Sequence, residues 1–325
     1  MWRYAPLLPP ADPLTLGEGG TPLVPSLRIG PRLGIDVAFK LEGANPTGSF
    51  KDRGAAVLVA VLRSAGAAAV ADDSSGNAGA ALAAYAARAG LRAVLFAPAH
   101  ASGPKLAQIA ALGAELVRVS GPRERATRAV EEACRTDPTL FYASHNTSPY
   151  FVAGLTTVAY EWIEDRGRAV PDHVVVPAGG GGLFLGIHQG FAAALRLGWI
   201  DRVPQVHIAQ PAACAPLVRA LHRGDNVPHE PYPGMTVAEG TRIPTPARGQ
   251  QVVALLRAAG GNGVAVEEDA IHAAQRRLAR EEGIHVEPTA ALAVAALPAL
   301  LDQGTIRPGQ QVGVVLTASG LKAGG

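Results

Sequence analysis

Val174-Val175-Val176-Pro177-Ala178-Gly179-Gly180-Gly181-Gly182-Leu183-Phe184 runs from an apolar strand through four glycines into an apolar helix. A strand that is apolar at every position is expected where both faces of a parallel sheet are covered. Consecutive glycines let backbone N–H groups converge on an anion, and a helix start adds unpaired N–H groups and a favourable dipole. Gly179, Gly180, Gly181 and Gly182 are therefore a candidate phosphate cradle, although the same run also reads as a flexible turn. It has neither the spaced dinucleotide fingerprint nor a P-loop lysine, so a cofactor with a single phosphate suits it better than NAD or ATP.

Outward from this segment, short β-type runs alternate with longer Ala-rich helical ones. That pattern predicts an α/β fold with mostly parallel, twisted sheets flanked by helices. Strands are expected at Val37–Leu41, Ala67–Ala71, Arg92–Phe96, Glu115–Val119, His173–Pro177, Gln205–Ala209 and Gln311–Leu316. Helices are expected at Asn77–Ala89, Lys105–Leu112, Pro122–Arg135 and Ala270–Glu282, with Gly66, Gly90 and Gly113 placed where left-handed glycines end helices. The Pro- and Gly-rich stretch Gly224 to Arg248 reads as one long loop.

Composition narrows the function. The chain has 325 residues, 48% of them hydrophobic and 17% charged, enough for one large or two intermediate domains. A net charge of +2 without a basic run gives no nucleic-acid footprint, so none is expected as partner. Cys134 and Cys214 have neither metal-ligand spacing nor the density of a disulfide scaffold, which suits a reducing compartment with both thiols buried, and no metal site is assigned. Met1 to Pro6 lacks the pattern of a signal peptide. The longest apolar stretch, Thr289 to Leu301, contains Pro298 and falls short of the roughly 20 residues that span a bilayer. A soluble cytoplasmic protein with no membrane partner is the expectation.

Three further segments carry chemistry. In Leu41-Glu42-Gly43-Ala44-Asn45-Pro46-Thr47-Gly48-Ser49-Phe50-Lys51-Asp52-Arg53-Gly54, a turn-rich loop feeds a helical run with Lys51 at the junction. A partly desolvated lysine beside the positive end of a helix dipole has a lowered pKa and can attack an aldehyde; on spacing alone a surface lysine at a helix start is the commoner case. Only four lysines exist, Lys40, Lys51, Lys105 and Lys322, so the field is small. Asp73-Ser74-Ser75-Gly76-Asn77-Ala78-Gly79 follows a strand and opens a helix, with Ser75 or Asn77 available as its N-cap or as a ligand contact. Val314-Val315-Leu316-Thr317-Ala318-Ser319-Gly320-Leu321-Lys322 ends a strand in small hydroxylated residues, at the carboxyl edge where open α/β sheets bind ligands.

In this order the segments resemble the threonine synthase branch of the fold-type-II pyridoxal-phosphate enzymes, which also holds serine/threonine dehydratases and cysteine synthases. The resemblance extends to Trp2-Arg3-Tyr4, to Gly17-Glu18-Gly19-Gly20-Thr21-Pro22-Leu23 and to Ala279 through Ala290. It implies pyridoxal 5′-phosphate as cofactor, held by Lys51 as a Schiff base. It further implies Asn77 on the phenolic oxygen, Gly179 to Gly182 on the phosphate and Thr317 facing the pyridine nitrogen. Ser74 and Ser75 would bind the carboxylate or phosphate of a small amino-acid substrate. A large cofactor domain of residues 1–44 and 151–325, a small mobile domain of residues 45–150 and a homodimer are implied as well.

The aspartate after Lys51 resembles synthases, which convert O-phosphohomoserine and water to threonine and phosphate. The four-glycine loop resembles dehydratases and serine racemase, which points to β-elimination from serine or threonine with release of ammonia. In Ser144-His145-Asn146-Thr147-Ser148-Pro149-Tyr150-Phe151-Val152-Ala153-Gly154, Phe151 or Tyr150 stands where such synthases carry an arginine for the substrate phosphate. Arg242, from the long loop, with His145 and Asn146, is the expected replacement. A homologue that binds the cofactor or an amino acid without turnover is the remaining alternative.

Overall fold

The computed structural model describes residues 1–99, 103–121 and 123–322. Ten strands form two separate sheets: β1 (Leu23–Pro25), β2 (Asp36–Leu41), β3 (Ala69–Asp72), β4 (Arg92–Pro98), β5 (Glu115–Val119), β6 (Leu140–Tyr142), β7 (His173–Pro177), β8 (Gln205–Pro211), β9 (Gly263–Val266) and β10 (Gln311–Leu316). By internal packing the chain divides into two units. One comprises Met1–Gly19, Asn45–Leu155 and the stretch from Lys322, the other Gly20–Ala44 and Thr156–Leu321.

The first unit holds the four-stranded parallel sheet, in the order β5-β4-β3-β6. Both faces are covered. Val57, Leu82, Tyr85, Leu95, Phe151 and Leu155 form a core built on the Ala-rich helices Lys51–Ser64 and Asn77–Ala89. Ala69, Val94, Phe96, Ala126 and Val130 form a smaller cluster with the helix Arg123–Thr136. Small residues let backbones approach closely: a Cβ on Gly154 would lie 2.1 Å from the carbonyl oxygen of Arg53.

The second unit holds the six-stranded sheet, in the order β1-β2-β10-β7-β8-β9, parallel except for the short antiparallel edge strand β1. The last strand in sequence, β10, lies between β2 and β7, with Val314 level with Phe39 and Val175. Continuing that register by two residues puts Leu316 beside Pro177, so Thr317 and the loop from Ala178 leave the same carboxyl edge side by side. Val175, Val312, Val314 and Leu316 pack with Phe39 and Leu292 in the core.

Seven expected strands and four expected helices form where periodicity places them, within two residues at their starts and ends. Pro122, the expected first residue of one helix, lies outside the described residues. Strands β1, β6 and β9 were not anticipated. Gly66, Gly90 and Gly113 all follow helices with positive φ, at 84°, 70° and 80°. The stretch from Gly224 to Arg248 is a loop with one 3-10 turn, Glu239–Thr241. Contrary to expectation, Gly76 takes the N-cap of the helix Asn77–Ala89, because Ser74 Oγ accepts the Gly76 N–H at 3.3 Å and Asn77 is already the first helical residue. Cys214 is buried as expected, whereas Cys134 is only half-buried; both are free thiols. No described helix is long and apolar enough to cross a membrane.

Candidate active site

The first unit gathers its candidate residues at the carboxyl edge of two adjacent strands. β3 ends at Asp72, and Ser74 and Ser75 follow it into the helix that Asn77 begins. β6, paired to β3 with Tyr142 level with Ala71, runs directly into His145 and Asn146. Ser74 is buried, Ser75 and Asn77 half-buried. The serine hydroxyls thus stand at the positive end of a 13-residue helix, a setting that suits a carboxylate.

Lys51 is the first residue of the helix Lys51–Ser64. The loop before it is locked by Asp52, whose Oδ2 accepts the Thr47 N–H at 3.1 Å and the Thr47 hydroxyl at 2.9 Å. The Lys51 ammonium lies 4.7 Å from the centre of the Phe50 ring and 5.5 Å from that of Phe151. Loss of water lowers its pKa from 10.5 to about 8; the Asp72 carboxylate pulls upward and Arg123 pushes down. Two other lysines are committed to partners inside the fold. Lys40 donates to Asp165 at 2.7 Å and to the carbonyl of Thr21 at 2.8 Å, and Lys322 donates to Gln108 at 2.6 Å and to the carbonyl of Thr47.

Beside Lys51 the structure assembles a pair that the sequence reading did not foresee. Nδ1 of His145 lies 2.9 Å from Oδ2 of Asp72; Asp72 is buried and His145 half-buried, with 9% of its side chain exposed. Burial raises Asp72 to about 6, against hydrogen bonds from Asp73 and the charges of Arg123 and Lys51. Burial, then the charges of Lys51 and Arg123, hold His145 well below the usual imidazole range. The only sequence signal for Asp72 is an acidic residue closing an apolar strand at the carboxyl edge of a sheet.

In the second unit the glycine loop opens the 15-residue helix Gly182–Arg196, with Gly181 as N-cap at φ 84°. A side chain is excluded twice over: a Cβ on Gly181 would stand 2.3 Å from Cγ2 of Val252, and one on Gly179 would stand 2.9 Å from the carbonyl oxygen of Gly240. Thr317 is 3% exposed and its hydroxyl has no hydrogen-bond partner. Arg242 is exposed and turned back on its own loop, Nε donating to the Gly234 carbonyl at 2.8 Å.

The family profile described as pyridoxal-phosphate dependent enzyme matches residues 14–318. The chain belongs to this family. Among pyridoxal-phosphate enzymes it is 36% identical to the threonine synthase of Methanosarcina acetivorans over 325 residues, covering 99% of this chain and 80% of that one. It is 38% identical to the threonine synthase of Synechocystis sp. over 332 residues, covering 99% and 84%. Among solved structures, the threonine deaminase of T.th. superposes with a TM-score of 0.79 at 28% identity, over 92% of each chain. Maize serine racemase superposes with a TM-score of 0.80 at 24% identity, over 92% of this chain and 88% of that one, and shares the fold. The protein is thus a threonine-synthase-like pyridoxal-phosphate enzyme of the lyase type with the fold-type-II architecture.

The residues present fit that cofactor. A buried hydroxyl without a partner is costly unless a ligand completes it, and Thr317 at the end of β10 is such a group, suited to a pyridine nitrogen. The glycine loop offers backbone donors at a helix start where no Cβ is tolerated, as a phosphate requires. Lys51 supplies an amine that loses its proton near neutral pH.

Proposed function

We propose that this protein is a threonine synthase in the chemical sense: a lyase that converts O-phosphohomoserine and water to threonine and phosphate. The observation that carries the reading is the desolvated Lys51 amine at the head of its helix, in a chain that matches threonine synthases along nearly its whole length. Bound pyridoxal phosphate would supply the electron sink for charge that develops at Cα. Gly179 to Gly182 would hold its phosphate through backbone N–H groups, Thr317 its ring nitrogen and Asn77 its phenolic oxygen.

With a pKa of about 8, about one Lys51 amine in ten is neutral at pH 7, against roughly one in several thousand for an ordinary lysine. Lys51 can therefore both hold the cofactor and, once displaced by the substrate amine, take the proton from Cα. Ser74 and Ser75 would orient the substrate carboxylate through hydroxyl and helix-start donors. The rings of Phe50 and Phe151 keep water from the lysine, which keeps its pKa low.

A second reading, β-elimination from serine or threonine to a 2-oxo acid and ammonia, is favoured by one observation. Around Lys51 stand Phe50, Phe151, Asp72 and a neutral His145, with the charge of Arg123 also felt there, and a buried carboxylate is a poor neighbour for a phosphate dianion. His145, Asn146 and Arg242 are then released from binding phosphate. A paired assay on cofactor-loaded protein decides: phosphate release from O-phosphohomoserine with threonine formed supports the synthase, and ammonia from serine or threonine without phosphate release supports the dehydratase.

A further inference from the structure

Asp72 is buried more deeply than a surface acid–base residue needs to be, and it is incompletely satisfied. Asp72 is 1% exposed, and while Oδ2 meets His145, its Oδ1 has no hydrogen-bond partner. A carboxylate kept only for stability at that depth is normally saturated with donors. The His145 ring meets Phe151 edge-on, 6.0 Å between centres, and the same Phe151 ring borders the Lys51 ammonium. With Nδ1 committed to Asp72, Nε2 is the nitrogen left to meet a substrate atom.

We propose that the Asp72–His145 pair handles the proton of an uncharged oxygen at the substrate Cβ, giving it to a departing hydroxyl or taking it from an adding water. The inference rests on the lyase reading of Lys51 and adds the substrate class: a small amino acid whose group at Cβ enters or leaves as neutral water. It serves both readings, since water addition at Cβ in a synthase is the reverse of hydroxyl loss in a dehydratase.

The proton inventory follows from the groups facing the pair. Lys51 and Arg123, from two different helices, both oppose a charged imidazole, and Asp73, itself held by the hydroxyls of Thr127 and Tyr142, favours it less strongly. The imidazole thus stays neutral and Asp72 is the proton reservoir. In one state the Asp72 carboxylic acid donates to Nδ1 and Nε2 carries the ring proton. In the other, Nδ1–H donates to the Asp72 carboxylate and Nε2 is bare. Passing between them releases one proton from Nε2 without charging the ring.

In the elimination direction Lys51 takes the Cα proton, the Cα–H electron pair becomes the Cα=Cβ bond, and the Cβ–O bond breaks with its pair on oxygen. Nε2 gives that oxygen a proton, so it leaves as water, and the Asp72 proton moves to Nδ1. In the addition direction a water loses its proton to Nε2 as its oxygen bonds to Cβ, the Cα=Cβ electron pair returns to Cα and takes the proton held by Lys51, and the Nδ1 proton moves back to the Asp72 carboxylate.

The test compares leaving groups. Chloride needs no proton, hydroxyl does. In cofactor-loaded protein, His145→Gln is expected to lower kcat/KM for pyruvate formation from L-serine, or for threonine formation from O-phosphohomoserine, by at least 100-fold. Chloride elimination from β-chloro-L-alanine should fall less than 5-fold, with the cofactor absorbance unchanged. Equal losses on both would make His145 a structural residue and overturn the proposal. So would a wild-type protein that eliminates chloride but neither loses nor adds water at Cβ. A wild type inert toward β-chloro-L-alanine would instead sink the lyase reading, and the proposal with it. A second readout needs no turnover: in 15N-histidine-labelled protein without cofactor, His145 should pass from the Nδ1–H to the Nε2–H tautomer as pH falls through about 6, in step with Asp72. Formation of an imidazolium there would overturn the relay.

Discussion

Phe151 lies across Gly54, so close that a Cβ on the glycine would stand 2.5 Å from Cε1 of the ring. The glycine sits one turn after Lys51 in the same helix, and this contact lets the ring border the lysine. Gly54→Ala gains helix propensity of up to about 1 kcal/mol yet has to displace the ring, a net loss of roughly 1–3 kcal/mol. Urea unfolding should show that loss, and adding Phe151→Ala should cost less than the sum of the two single changes, because the clash is then gone. Strict additivity would show that the two residues do not meet.

Lys51 should be the most reactive lysine in the protein at neutral pH. In cofactor-free protein, labelling by an amine reagent read by mass spectrometry should rise with a midpoint of about 8 at Lys51. Asp72→Asn removes the charge that raises this pKa, so the midpoint should move down. Lys51→Ala should lose the cofactor's visible absorbance band and at least 1000-fold in turnover; turnover at the wild-type rate would refute the assignment.

Thr317 should behave oppositely toward stability and binding. Its buried hydroxyl has no partner in the protein, so the near-isosteric Thr317→Val should stabilise the cofactor-free protein by about 1 kcal/mol. The same change should weaken pyridoxal phosphate binding roughly 5- to 10-fold, measured by equilibrium dialysis. A destabilised cofactor-free variant would mean that the hydroxyl already has a partner.

Asp52 makes stability depend on pH. Burial raises its pKa from 3.8 to about 7, against the hydrogen bonds from Thr47, so the folded state holds a proton that the unfolded chain gives up. The stabilisation is present below about 4 and is lost as pH rises through 7, a change on the order of 4 kcal/mol. Asp52→Asn, which keeps an acceptor for Thr47, should flatten the fall in urea midpoint between pH 4 and pH 8. A variant with the wild-type slope would place the titration elsewhere.

Local sequence was enough for the α/β class, for the full extents of β5, β7 and β10, and for the identities of Lys51, Asn77, the four glycines and Thr317 as a set. Its signals are short-range: continuous apolar runs, a lysine at a loop–helix junction, glycines between strand and helix. Strands β1, β6 and β9 are three or four residues long and lie at sheet edges, too short for periodicity to register, so pairing with a neighbour is what makes them strands. Folding brought Asp72 to His145 across 73 residues, because β3 and β6 run side by side and end level. It also turned Phe151, which sequence placed only as a missing arginine, into the wall that keeps Lys51 dry. Short-range chemistry names the groups, but the charge each one carries depends on which distant residues desolvate it, and that is set by packing.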